Sequence, residues 1–194
     1  VERARGVQRF EQRLEAGNIR LWWPNGTGEA ELYRVECVID EPGGQRIHEE
    51  ARTVGFRTLE MRQNAGAPEG ALPYTMHVNG RRVFLKGVNW VPIKPQHGEI
   101  AYADYYETLS RFQAMNVNLI RVWGGAIIEK EAFYDCCDRL GLLVWQELLQ
   151  SSSGIDNEPP IDPDFLQELE TVTRYAVLEK RAHPSLAIWC GGNE

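Results

Sequence analysis

From Leu85 onward, short apolar runs alternate with helix-patterned segments, and this alternation constrains the fold more than any other feature of the sequence. Leu85 to Trp90 reads as a strand, and Tyr102, Tyr105, Leu109, Phe112 and Met115 then recur at helical spacing. Val117 to Trp123 is a second strand, ended by Gly124-Gly125. Phe133, Cys136, Cys137 and Leu140 mark a helix that Gly141 stops. Leu142 to Gln146 is a third strand. Asp162-Pro163 then offers a cap and a first-turn proline for a long helix with the apolar stripe Phe165, Leu169, Val172 and Ala176. Its last turn carries Lys180 and Arg181, and Pro184 blocks continuation before a fourth strand, Leu186 to Cys190. Four strands that are apolar runs rather than alternators imply a parallel sheet covered by helices. A complete (β/α)₈ barrel takes about 250 residues, and residues 74–194 offer about half that length. Pattern alone leaves a half barrel and a small doubly wound sheet both open.

The first 58 residues follow another rule. Leu32 to Ile39 roughly alternates apolar and polar side chains, as a half-buried strand does, Asp40 to Gly44 supplies a turn, and Arg46 to Phe56 resumes an extended pattern. A part of a small antiparallel sandwich fits residues 1–58. Residues 59–73 turn polar and Gly/Pro/Ala-rich, which reads as a linker. A hairpin is expected next, from Tyr74 to Val78 through Asn79-Gly80 to Val83-Leu85.

Composition excludes several functions. The 194 residues are 43% hydrophobic and 25% charged, as in ordinary globular proteins, and the net charge of −7 disfavours nucleic acid or an anionic membrane as partner. The plain reading of that charge is solubility. No apolar run reaches membrane-spanning length. Cys37, Cys136, Cys137 and Cys190 form no legible disulfide framework, so buried free thiols and a reducing compartment are the expectation. The four histidines are scattered, with no zinc-site spacing. The chain begins at Val1 in mid-pattern, so the lack of a signal peptide says nothing of what precedes it. Gly26-Thr27-Gly28 lacks the rest of a dinucleotide loop, no Walker or HExxH motif occurs, and Ser151 to Gly154 reads as a loop without an activating histidine. No cofactor is expected.

In either parallel fold, chemistry collects where strands end. Those ends read Asn89-Trp90, Arg121 to Gly125, Trp145-Gln146-Glu147 and Gly191 to Glu194. Taken singly, such tryptophans are often core and such glycine pairs often turns. Together they gather aromatic faces that stack on sugar C–H groups with amides, an arginine and carboxylates that bond hydroxyls.

At these positions the sequence resembles glycoside hydrolase family 2, of the β-mannosidase type. The resemblance spans about residues 18–194 and rests on Leu21 to Gly26, Gly55 to Thr58, Phe84 to Trp90, Arg121 to Gly125 and Trp189 to Glu194, in that order. It implies a multi-domain β plus α/β chain: a partial immunoglobulin-like sandwich over 1–58, a linker over 59–73, and the first half of a TIM barrel over 74–194. It implies a retaining hydrolase with Glu194 as general acid/base and a nucleophile from strand seven, outside this sequence. Asn193 would bond the sugar 2-hydroxyl, Arg121 would keep the nucleophile ionised, and Trp123 would line the sugar site. Trp90, Trp145 and Glu147 are further substrate-binding candidates. Trp123-Gly124-Gly125, where galactosidases and glucuronidases of the family usually carry a histidine motif, and Trp90 favour a mannoside. Glu147-Leu148 departs from the Asp-Phe expected in many members, and the loop from Gln150 to Pro160 is unusual. The alternatives are another β-glycosidase of the family or a non-catalytic sugar-binding module.

Two geometric expectations follow. Strict alternation would send Asn193 and Glu194 to opposite faces, so Gly191-Gly192 should break the pleat. A half barrel also exposes its edge strands and should self-associate.

Overall fold

The computed structural model describes residues 11–151 and 158–193; Glu194 and much of the Ser151 to Gly154 loop lie outside them. Strands β6 (Gly87–Trp90), β7 (Leu119–Val122), β8 (Leu143–Glu147) and β9 (Leu186–Cys190) form one sheet in that order, and every pairing is parallel. Helices α1 (Tyr102–Ala114) and α2 (Glu131–Leu140) follow β6 and β7, and α3 (Pro163–Lys180) follows β8. Sequential order without a reversal is the barrel arrangement, whereas a doubly wound sheet reverses at a switch point. Tyr105 and Leu109 of α1 and Phe133, Tyr134, Cys136 and Cys137 of α2 share one core with Val88, Trp90, Ile120, Val122 and Val144, so both helices cover the same face of the sheet. The sheet is thus part of a TIM barrel.

The helix signals act where expected. Asp162 accepts from the N–H groups of Asp164 and Phe165 (3.0 and 3.1 Å), and Gly141 ends α2 at φ 67°. On α1 the expected stripe is buried at Tyr105 and Leu109 but open at its ends, Tyr102 and Met115. On α3 only Ala176 of the stripe is fully buried, and Leu166, Tyr175 and Leu178 face outward.

The opposite face of the sheet looks into the barrel. Its lowest layer, Leu119 and Leu143, is closed from below by Trp22, with Ala30, Leu32 and Leu85 around it. The Trp22 indole donates to the Asp138 carbonyl (2.8 Å), the Asn25 N–H donates to the Gly141 carbonyl (2.7 Å), and the Asn25 amide donates to Gln113 and Val117 (2.9 Å each). Arg57 donates to the Pro184 and Leu186 carbonyls (3.0 and 2.7 Å). The segments Trp22 to Asn25 and Gly55 to Thr58 are therefore anchors for the bottoms of the strands, remote from the strand ends where chemistry collects.

Three readings of the N-terminal part are corrected. Strands β1 (Tyr33–Asp40) and β2 (Arg46–Val54) form the expected hairpin, but Val35, Val38 and Ile39 remain exposed, because no second sheet covers them among the described residues. The stretch 59–73 is not all linker: β3 (Leu59–Arg62) pairs antiparallel with β4 (Thr75–Val78), which turns through Asn79 and Gly80 (φ 50° and 77°) into β5 (Arg81–Arg82). Met76, Val78 and Val83 of this small sheet pack against Leu85, Ala187 and Ile188, so it joins the floor of the barrel. Cys136 and Cys137 are buried thiols as expected, while Cys37 on β1 is exposed and Cys190 half-buried.

Candidate active site

Parallel register sorts neighbouring residues at the strand ends onto opposite faces. Asn89 pairs with Arg121 and Trp90 with Val122, so Asn89 shares the barrel-facing side with Arg121 while Trp90 shares the helix side with Val122. Trp90 is 3% exposed, packs on Phe133 and Tyr105, and donates its indole N–H to Glu129 (2.9 Å). Its side chain is thus part of the core on the helix side of the sheet. Asn89, one residue earlier, is the β6 side chain that reaches the barrel side. Tyr105 also donates to Glu129 (2.5 Å), and burial with the Glu129 carboxylate beside it raises the Tyr105 phenol above its usual range. Glu129 went unrecognised in the sequence because both its partners come from distant elements.

On the barrel side Arg121 is the hub. Its Nε and Nη2 meet Glu147 Oε1 at 2.8 and 2.6 Å, its Nη1 donates to Asn89 Oδ1 (3.1 Å), and its Nη2 donates to Asn193 Oδ1 (2.7 Å). The guanidinium thus ties the ends of β6, β7 and β8 to the residue that precedes Glu194. Glu147 is 2% exposed, and its second oxygen accepts from the Gly124 N–H (3.0 Å). With both oxygens occupied, it is unsuited to attack a sugar.

Glycines let these pieces approach. A Cβ on Gly124 would lie 2.4 Å from the Leu148 carbonyl oxygen and 2.8 Å from that of Gln150. On Gly192 it would lie 2.7 Å from Gln150 Cβ, and on Gly125 2.1 Å from the Trp123 ring. Trp123 accordingly lies folded over Gly125, half-buried at the rim. Trp145 shares the barrel side with Arg121, its register partner, and packs beside Leu143 and Leu119 with its indole N–H buried and unpartnered.

Strand β9 stops at Cys190, Gly191 bends, and Asn193 rejoins the loop after β8 through a bridge to Ser151, its N–H donating to the Gln150 carbonyl (2.8 Å). The irregularity expected at Gly191-Gly192 is present, and it brings the Asn193 amide to Arg121. A second slip, between Val144 and Trp145 against Leu186 and Ile188, had no signal in the sequence.

A separate polar cluster lies on the helix side. His183 Nδ1 meets Asp138 Oδ2 at 2.6 Å and its Nε2 meets Glu131 Oε1 at 2.9 Å, while Lys180 Nζ meets Glu131 Oε2 at 2.5 Å. Burial alone would lower the His183 pKa, but hydrogen bonding and charge from Asp138, then Glu131, raise it. Glu131, Asp135 and His183 offer atoms within 4.8 Å of one another. Lys180 already neutralises Glu131 there, so the cluster reads as an ion-pair network joining α2 to the turn before β9.

Residues 73–194 match the sequence model of the glycosyl hydrolases family 2 TIM barrel domain. The chain belongs to glycoside hydrolase family 2. Within the family it is 31% identical over 190 residues to a β-mannosidase of Bos taurus, covering 98% of this chain and 21% of that protein. It is 35% identical over 179 residues to a β-mannosidase of Mus musculus, covering 91% and 20%. Among solved structures, a β-D-mannosidase from Dictyoglomus thermophilum superposes with a TM-score of 0.75 at 34% identity, over 89% of this chain and 20% of that one. An exo-chitosanase of Amycolatopsis orientalis shares the fold, with a TM-score of 0.67 at 21% identity. The chain therefore spans about a fifth of the length of the relatives it matches.

Proposed function

We propose that this chain forms one side of the active site of a retaining β-mannosidase that releases terminal β-mannose. The observation that carries the reading is the bond from Arg121 to Asn193 (2.7 Å), which sets an amide at the barrel rim one residue before a glutamate. Relatives named β-mannosidase at 31–35% identity support the choice of sugar. In this reading residues 1–58 come from an immunoglobulin-like sandwich, and the hairpin β1–β2 is its sheet among the described residues.

The chemistry needs two carboxylates about 5–5.5 Å apart on the barrel rim. Glu194, outside the described residues, protonates the departing glycosidic oxygen and later draws a proton from water. The attacking carboxylate comes from a later barrel strand of the full-length protein, since Glu147 is held by Arg121 and Gly124. Asn193 bonds the 2-hydroxyl, a contact that strengthens as the ring becomes cationic. Trp123 offers an aromatic face to the sugar. Trp145 is the weaker aromatic candidate because it sits one layer lower.

The test is hydrolysis of aryl β-mannoside, β-galactoside and β-glucuronide by the full-length protein. The expected order puts mannoside first, and Glu194→Gln slows substrates with poor leaving groups far more than those with good ones. Preference for another sugar refutes the mannosidase assignment, equal loss on all leaving groups refutes the acid role, and absence of turnover on all three favours a sugar-binding module.

A further inference from the structure

The buried carboxylate Glu147 has both oxygens engaged within the protein, and through them it is bonded to both parts of the rim that would meet a sugar. We infer that Glu147 is a positioning residue: through Arg121 it fixes which end of the Asn193 amide faces the substrate. This rests on the glycosidase reading above and adds a role to that site.

A guanidinium carries donors only, so any amide against it must present oxygen. Asn193 does so, with Oδ1 on Arg121 Nη2 (2.7 Å), which leaves Nδ2 as the outward group, now resting on Ser151 Oγ at 3.2 Å. The substrate hydroxyl therefore meets an N–H donor. That orientation holds only while Arg121 is held, and the carboxylate that holds it, Glu147, is itself buried and fixed. Two of its nitrogens rest on Glu147 Oε1, and the neutral Asn89 accepts from the third. Among the described residues Glu147 is thus the one carboxylate that anchors the arginine. Oε2, on the Gly124 N–H, ties the same carboxylate to the turn that carries Trp123. Without the charge at position 147, Arg121 loses its carboxylate partner, and the Asn193 amide loses the fixed donor that tells its two ends apart.

The experiment is a double-mutant cycle in the full-length enzyme on whichever aryl β-glycoside it hydrolyses best, with Glu147→Gln, Asn193→Ala and the pair. Glu147→Gln should lower kcat and kcat/KM together on the order of 10–100-fold, leaving KM nearly unchanged, because the contact matters most in the transition state. The pair should lose no more than Asn193→Ala alone. Multiplicative losses in the pair, or a loss confined to KM, overturn the positioning role. If Glu147→Gln does not fold, Glu147→Asp, which keeps the charge on a shorter arm, enters the same cycle, and the same two results support or overturn the role. Wild-type enzyme without turnover of any glycoside overturns the functional reading itself, a result distinct from active wild type with independent losses.

Discussion

Replacing Gly124 by alanine tests the close approach on which the rim depends. The φ of Gly124 lies outside the left-handed region, so alanine meets no dihedral penalty, and the whole effect comes from contact. The new Cβ would stand 2.4 Å from the Leu148 oxygen, 2.8 Å from the Gln150 oxygen and 3.2 Å from Glu147 Cβ. The two nearest atoms are backbone carbonyls, which cannot rotate aside. The turn must lift away from β8, and in lifting it stretches the 3.0 Å bond from the Gly124 N–H to Glu147. Overpacking of this kind costs about 1–3 kcal/mol, and a lost hydrogen bond to a charged acceptor about 1.5–3 kcal/mol. The two are alternatives along one movement, since relief of the clash is what breaks the bond, so a total of about 2–4 kcal/mol is expected rather than the full sum. With a urea slope of about 2 kcal/mol per molar, the unfolding midpoint followed by tryptophan fluorescence should fall by about 1–2 M. Gly191→Ala is the control, because nothing lies within 4 Å of its new Cβ, and it should stay within about 0.5 kcal/mol of wild type. A Gly124→Ala midpoint matching that control would refute the argument that Gly124 is glycine for want of space.

Two further outcomes follow from groups outside the rim. The folded-state pKa of His183 is raised, so its ion pairs with Asp138 and Glu131 stabilise fully below the unfolded value of about 6.5, and that contribution is lost as pH climbs through the folded value. Glu131 is shifted the other way: burial would raise its pKa, but Lys180 and His183 lower it, so its share is lost as pH falls through its own folded value. The Tm gap between wild type and His183→Gln should therefore narrow steadily as pH rises above neutrality, and a gap that widens would contradict the sign. Trp90→Phe keeps the packing on Phe133 but removes a donor from the buried Glu129, so it should cost about 1–3 kcal/mol in urea unfolding with KM for the glycoside unchanged. A raised KM at wild-type stability would return Trp90 to the sugar site.

Period and punctuation made the barrel legible. Pro163, Gly141 and Asn79-Gly80 each act through their own backbone chemistry, so the helices and the hairpin could be placed without knowing their neighbours. The strand ends were legible as a set but not residue by residue. The strand end Asn89-Trp90 could not be sorted from sequence, because a tryptophan there suits a sugar and a core equally, and only the register with Arg121 and Val122 sends Trp90 to the helix side. Strand β3 was hidden in a Gly/Pro-rich stretch, since Leu59 to Arg62 has a partner only once Thr75 to Val78 folds back on it. The pairings of Glu129 with Trp90 and of Asp138 with His183 span 39 and 45 residues, and nothing local announces them.

The two kinds of landmark in this sequence do different physical work at opposite ends of the same strands. Trp22, Asn25 and Arg57 bond backbone carbonyls near the bottoms of the strands, at Asp138, Val117, Gly141, Pro184 and Leu186. Those carbonyls flank the starts of β7, β8 and β9, so the N-terminal segment fixes where three strands begin. Each strand runs only four or five residues from there to the rim, so an error in height at the floor would reappear almost undiminished at Arg121, Glu147 and Asn193. The contacts there, 2.6 to 2.8 Å, tolerate little of it. A segment that touches no sugar can therefore be as necessary to the site as the residues that would, and this ties the sequence at Trp22 to the chemistry proposed beyond Asn193.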